Sequence, residues 1–185
     1  KTQIKDIDSK IYDVLCVKGS GWDMGAIEPA GLPAVKLNPL KSMIKRKTLS
    51  DVEMVSFQKR NLLDINSPNP SVETFLHAFL PHKYVDHTHA DAILDITNRP
   101  NALKVCKDTF GNKVGYVPYI MPGFSLAKKV YEIYQKNPDL NCLILMNHGI
   151  FTFSDSAKES YDIMIKNVSL AESAIKKMKS KKIKQ

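Results

Sequence analysis

Ser71-Val72-Glu73-Thr74-Phe75-Leu76-His77-Ala78-Phe79-Leu80-Pro81-His82-Lys83-Tyr84-Val85-Asp86-His87-Thr88-His89 holds a capped helix, a stop and a strand in one uninterrupted run. Ser71 is a residue type that caps helices, and the apolar positions 72, 75, 76, 79 and 80 form one helical stripe. Pro81 ends the helix. Tyr84-Val85 then opens a strand that closes on two histidines. In an extended segment residues i and i+2 share a face. The rings of His87 and His89 therefore look the same way from one strand end, where open α/β sheets place their chemistry.

A third imidazole stands in Asn147-His148-Gly149, directly after the apolar run 143–146. Three of the five histidines thus lie in two short segments that each end an apolar run. Three imidazoles from two strand ends could seat one divalent metal at roughly 2.0–2.1 Å, the zinc–nitrogen distance. Such a site keeps open positions, as catalytic rather than structural sites do. Glu73, fourteen residues before His87, is then a fourth ligand or a base. His77 falls inside an apolar helical run and is read as packed. His82 follows Pro81 in a turn and is read as solvated.

The remaining chain alternates helix and strand signals. Strands are expected at 11–17, 34–37, 84–87, 114–119, 142–146 and 150–153. Ser50 with Glu53 marks a capping box that opens a helix to about Arg60. Helices are also expected at 90–97, 101–107, from Ser125 to about Gln135, and from 154–156 towards Met178. Lys18-Gly19-Ser20-Gly21 is a glycine-containing turn after the first strand, residues 25–39 read as extended connections, and 66–70 is a loop of turn formers. This pattern predicts an α/β fold, a three-layer α/β/α sandwich around a central mixed, largely antiparallel sheet.

At 185 residues the chain suits one domain with a sizeable core. We place that domain at residues 1–175 and a lysine-rich tail at 176–185. The net charge of +8 is concentrated there: Lys176, Lys177, Lys179, Lys181, Lys182 and Lys184 have no acid after Glu172, and without them the chain carries +2. The tail lacks the aromatic or arginine interleaving of a nucleic-acid surface, so no nucleic-acid partner is expected. No apolar run approaches the ~20 residues of a membrane span, and no membrane partner is expected. The three cysteines, Cys16, Cys106 and Cys142, each sit among apolar residues. They read as reduced core residues of a cytoplasmic protein.

Pro70-Ser71-Val72-Glu73, His87-Thr88-His89 and Asn147-His148-Gly149, in that order, resemble the class II aldolase/adducin-head family. Lys18-Gly19-Ser20-Gly21 is similar to the phosphate turn of that family. The string from Ser71 to His82 resembles one branch, in which a rhamnulose-1-phosphate aldolase domain precedes a lactaldehyde dehydrogenase domain. The resemblance runs from about Val14 to Ala174. It implies a three-layer α/β/α homotetramer, Zn2+ or another divalent ion on His87, His89 and His148, Glu73 as acid/base, and a phosphate pocket near Ser20, Gly21 and Ser71. The activity implied is retro-aldol cleavage of a phosphorylated sugar, rhamnulose 1-phosphate, to dihydroxyacetone phosphate and lactaldehyde.

Elementary chemistry agrees with those roles. Cleavage leaves negative charge on the ketose fragment, which a divalent metal stabilises as a Lewis acid. A carboxyl in a dry pocket can carry the proton. A serine at a helix start offers backbone N–H groups to a phosphate, and turn amides at Ser20-Gly21 add to them. The departures from the family pattern are specific. A Gly-Asn loop that normally completes the phosphate cradle has no counterpart before Lys10, so the chain is expected to start just past it. Val72 stands where many phosphosugar aldolases carry a second serine. Tyr116 and Tyr119 are present, with neither assigned as the aldehyde-side acid, and the dehydrogenase step is expected to be absent from these 185 residues. The alternatives are a sugar-phosphate epimerase or dehydratase of the same family, or a non-catalytic adducin-like head.

Overall fold

The structure, a computed structural model, describes residues 1–183, with side-chain burial through residue 180. Lys184 and the side chains of Lys181 and Lys182 lie outside the described residues. In chain order the elements are β1 (Thr2–Lys5), β2 (Ile11–Cys16), β3 (Ala34–Lys36), α1 (Leu37–Ser42), α2 (Asp51–Arg60), α3 (Thr74–Phe79), β4 (Tyr84–Thr88), α4 (Asp91–Thr97), α5 (Ala102–Phe110), β5 (Gly115–Val117), α6 (Phe124–Lys136), β6 (Cys142–Leu145), β7 (Gly149–Ser154) and α7 (Ala157–Ile183). They fall into two units: Lys1–Pro81 with Ile120–Glu132, and His82–Tyr119 with Ile133–Gln185.

The first unit holds an antiparallel sheet in the order β1-β2-β3. The α/β class with mixed, largely antiparallel pairing is what the chain adopts, but the strands form two sheets where the sequence suggested one. The outer edge of β3 is closed by residues 61–63. Lys36 N–H donates to Asn61 O at 2.8 Å, and Leu63 N–H to Ala34 O at 3.0 Å. α1 begins inside a stretch, residues 25–39, that the sequence reads as extended connections. Pro39 occupies the first helical turn, where no intrahelical N–H is needed. The α2 capping box is formed as read: Ser50 N–H donates to Glu53 Oε2 at 2.9 Å and Glu53 N–H to Ser50 Oγ at 3.3 Å. Phe75 anchors an aromatic core, with ring centroids 5.7 Å from Phe79 and 5.4 Å from Phe124. α3 begins at Thr74 rather than at Ser71, and Val72 stays 45% exposed instead of joining the stripe. Cys16 is exposed, not a core residue: it is the last residue of β2.

The second unit holds a four-stranded sheet in the order β4-β7-β6-β5. β4, β7 and β6 are antiparallel, and β5 runs parallel to β6. β6 and β7 are buried at every residue, as expected of central strands covered on both faces. Ile144 and Ile150 form a core with Ile93 and Ile96 of α4, Cys106 of α5, and Met164, Ala171 and Ile175 of α7. Each such aliphatic side chain contributes on the order of 1.5–3 kcal/mol on full burial. α7 continues without a break past residue 176, where the tail was expected to begin, and Met178 still packs on this core. His82 is half-buried rather than solvated. It contacts Tyr134 Oη at 3.0 Å and stacks on Phe153 with centroids 4.9 Å apart. Among the described residues, no helix is long and apolar enough to cross a membrane.

Candidate metal centre

β4 divides its side chains by strand alternation. On one face Asp86 accepts a hydrogen bond from Ser160 Oγ at 2.5 Å, and Thr88 Oγ1 donates to Met164 Sδ at 3.3 Å. Both partners lie on α7, so that face is committed to packing. The other face carries Val85, His87 and then His89, one residue beyond the strand end. The sequence expectation that the two rings point together is met: their centroids are 4.7 Å apart and their Nε2 atoms 2.9 Å apart.

His148 arrives from the three-residue turn between β6 and β7. Met146 N–H donates to Val117 O at 2.9 Å, and His148 N–H to Leu145 O at 3.2 Å. Asn147 takes the left-handed conformation, with φ of 57°, which asparagine tolerates better than most residues. Gly149 has a steric reason. A Cβ there would lie 2.4 Å from Thr88 O, 3.1 Å from His89 Cδ2 and 3.3 Å from His87 Cε1. Only glycine lets the turn come this close to the end of β4. In Asn147-His148-Gly149 the asparagine thus bends the backbone, the histidine brings the third imidazole and the glycine permits the close approach. His148 is buried, with its ring 5.2 Å from that of His87 and 4.9 Å from that of His89.

The rings are held as well as gathered. His87 Nδ1 lies 2.9 Å from the carbonyl of Ile150. A carbonyl only accepts, so Nδ1 carries the proton and the lone pair of the neutral ring is on Nε2. The ring also stacks on Phe151, centroids 3.9 Å apart and planes within 10°. This is the support that metal-binding histidines commonly receive. The ligating nitrogens of the three histidines lie within 4.8 Å of one another, a spacing one ion with bonds of about 2.0–2.1 Å can gather. The donor set is imidazole without thiolate, which suits a divalent transition metal such as zinc. The residues present therefore fit the ion. The sequence did not reveal the contributions of Ile150 and Phe151, because their register opposite His87 and Thr88 appears only once β7 pairs with β4.

The other expected site residues belong to the first unit. Ser20-Gly21 and Ser71 are brought together, with an isolated bridge between Gly19 and Pro70. Ser20 N–H donates to Asn69 O at 2.7 Å and Ser71 N–H to Lys18 O at 3.1 Å. Those two amides, in the segments expected to face a phosphate, are occupied in holding the loops to each other. Among the described residues, the N–H groups of Gly21 and Val72 have no such bond. Ser71 acts on the turn before α3: its Oγ accepts from Glu73 N–H at 3.2 Å and its carbonyl from Thr74 N–H at 3.0 Å. Glu73 directly precedes α3 and is half-buried.

Tyr116 has a structural assignment. Its hydroxyl donates to the carbonyls of Gly111 at 2.7 Å and Cys106 at 3.2 Å, and burial pushes its pKa up to about 12. Tyr119 is 54% exposed.

Comparison with known proteins places the fold and the family. The chain is 37% identical over 175 residues to the uncharacterized oxidoreductase YuxG of Bacillus subtilis (strain 168), covering 95% of this chain and 25% of that protein. It therefore spans about a quarter of the length of that curated relative. Its fold matches the N-terminal class II aldolase domain of a conserved protein from Thermoplasma acidophilum, with TM-score 0.87 and 41% identity over 95% of this chain and 81% of that one. YgbL of Klebsiella pneumoniae shares the fold at TM-score 0.57 and 18% identity, over 92% of this chain and 74% of that one. The model of the class II aldolase and adducin N-terminal domain matches residues 9–175. With its three histidines gathered at one sheet end, the chain belongs to the class II aldolase and adducin N-terminal domain family.

Proposed function

We propose that this domain is a divalent-metal carbon–carbon lyase acting on a ketose 1-phosphate, with rhamnulose 1-phosphate as substrate and dihydroxyacetone phosphate and lactaldehyde as products. The observation that carries the proposal is the convergence of His87, His89 and His148, with the Nε2 lone pair of His87 fixed by Ile150 O. A zinc or similar ion bound there supplies Lewis-acid stabilisation of the charge that grows on the ketose oxygens as the bond breaks.

The chain's own residues supply the rest. His87 from β4, His89 just beyond its end and His148 from the β6–β7 turn would hold the ion. Glu73 is the acid/base group. As the C–C bond breaks, the hydroxyl on the carbon that becomes the aldehyde loses its proton, and Glu73 returns a proton to the enediolate carbon of the ketose fragment, so that no net proton is gained or lost; the reverse direction runs the same two transfers backwards. Ser20, Gly21 and Ser71 bind the phosphate through the two serine hydroxyls and the amides of Gly21 and Val72. The domain works as a homotetramer. Similarity to a quarter of a protein named as an oxidoreductase supports placement in the branch where the aldehyde product is next oxidised by a companion dehydrogenase domain.

The test is a substrate panel on zinc-loaded protein. Release of lactaldehyde and dihydroxyacetone phosphate from rhamnulose 1-phosphate is expected, abolished by a chelator and restored by zinc. Isomerisation of pentulose phosphates without aldehyde release would replace this reading with an epimerase. Metal binding with no turnover of any panel member would favour a non-catalytic head.

A further inference from the structure

The turn that carries His148 is tied to a side chain 49 positions away in sequence. Asn147 Nδ2 donates to Asn98 Oδ1 at 2.8 Å. Asn98 is the C-cap of α4, with its N–H on Leu94 O at 3.0 Å. α4 starts two residues after His89, and its first turn is closed by Ile93 and Leu94 N–H groups on Ala90 O at 2.9 and 3.0 Å. Its inner residues Ile93 and Ile96 are fully buried in the same core as Ile144 and Ile150. Those two come from the strands that enter and leave the His148 turn.

Asn147 is also unusual in itself. It and Ser9 are the non-glycine residues with positive φ among the described residues. It occupies the third position of the turn closed by His148 N–H on Leu145 O, where glycine or asparagine is favoured. Glycine would serve the backbone; asparagine adds an amide that reaches Asn98.

We propose that α4 is a strut across the metal centre and that Asn98 is a positioning residue for His148. His89 leads into the first turn of α4 and Asn98 closes its last. One short helix thereby fixes the histidine that follows β4 and the turn that brings the third histidine after β6. The proposal rests on the metal-site reading above for its consequence, though not for its geometry.

The test compares Asn98→Ala, which removes the acceptor, with Asn98→Asp, which keeps it. Two quantities are read: the zinc dissociation constant by competition with a chromophoric chelator, and amide hydrogen exchange at residues 147–149 in metal-free protein. Asn98→Ala should weaken zinc binding roughly tenfold, the low end of effects from residues that orient ligands. It should speed exchange in the turn without moving the global unfolding midpoint. Asn98→Asp should behave as wild type in both. Asn98→Ala combined with Asn147→Gly should lose no more affinity than the larger single loss, because both remove one bond. Wild-type affinity and exchange in Asn98→Ala, or fully additive losses, would overturn the strut. If the unsubstituted protein binds no zinc, the metal-site reading fails separately. Exchange then decides the strut alone: acceleration in Asn98→Ala upholds it and no change overturns it.

Discussion

The His148 turn and the paired loops at Ser20 and Ser71 are made from the same turn-forming residue types, yet they treat their polar groups in opposite ways. At the histidine turn, backbone hydrogen bonds go to neighbouring strands, and the imidazoles are turned towards one another. At the serine loops, the amides of Ser20 and Ser71 are occupied by Asn69 O and Lys18 O. The first region uses backbone pairing to present side-chain donors. The second uses the donors themselves as pairing. That contrast places the ligand-holding strength of this chain in its histidines and leaves a thinner set of groups for an anion.

The largest effect should come from the histidines. His87→Ala with His89→Ala should lower metal affinity by more than about 100-fold, beyond what loss of merely supporting residues produces. Stoichiometric metal retained in the double variant, measured by elemental analysis after gel filtration, would break the comparison. Gly149→Ala comes next. The added Cβ would meet Thr88 O at 2.4 Å, so urea denaturation should show a loss of about 1–3 kcal/mol, the usual range for overpacking. A variant as stable as wild type would mean that the turn does not approach β4 this closely.

Ser71→Ala tests the other side. It removes the acceptor for Glu73 N–H and should cost about 0.5–2 kcal/mol, as loss of a capping oxygen does. KM for a phosphorylated substrate should rise while zinc affinity is unchanged. A fall in zinc affinity as large as that of the histidine variants would erase the distinction between the two regions. The smallest effect is a background check on burial. Burial pushes the Cys106 thiol up to about 11 and the Cys142 thiol higher still, and Cys16 is exposed. The thiolate is the reactive form, so a disulfide reagent at pH 8 should modify one thiol in native protein and three after unfolding.

The legible parts of this molecule were those set by local pattern. The α2 capping box, the strand ending in His87, the two apolar strands around residue 148 and the helix at 157 onward follow from side chains a few positions apart. What escaped depends on partners distant in sequence. His82 read as a solvated turn residue, and its partners Tyr134 and Phe153 lie 52 and 71 positions away. Ser71 looked like the cap of a helix, yet the chain makes one more turn before α3 begins at Thr74. α1 begins inside the stretch read as extended connections, and β1 was hidden by its lack of apolar alternation. For the centre itself, the three histidines that converge are readable from motif order. The supports are not: Ile150 O, the Phe151 ring and Asn98 become neighbours only through strand register and helix placement.

The central claim is that one divalent ion sits on three imidazoles. X-ray absorption at the zinc edge, with one equivalent of zinc bound, reads those neighbours directly. Three imidazole nitrogens at roughly 2.0–2.1 Å are expected in the wild-type protein, and two in His148→Ala. A sulfur shell, or a spectrum unchanged by that substitution, would contradict the claim.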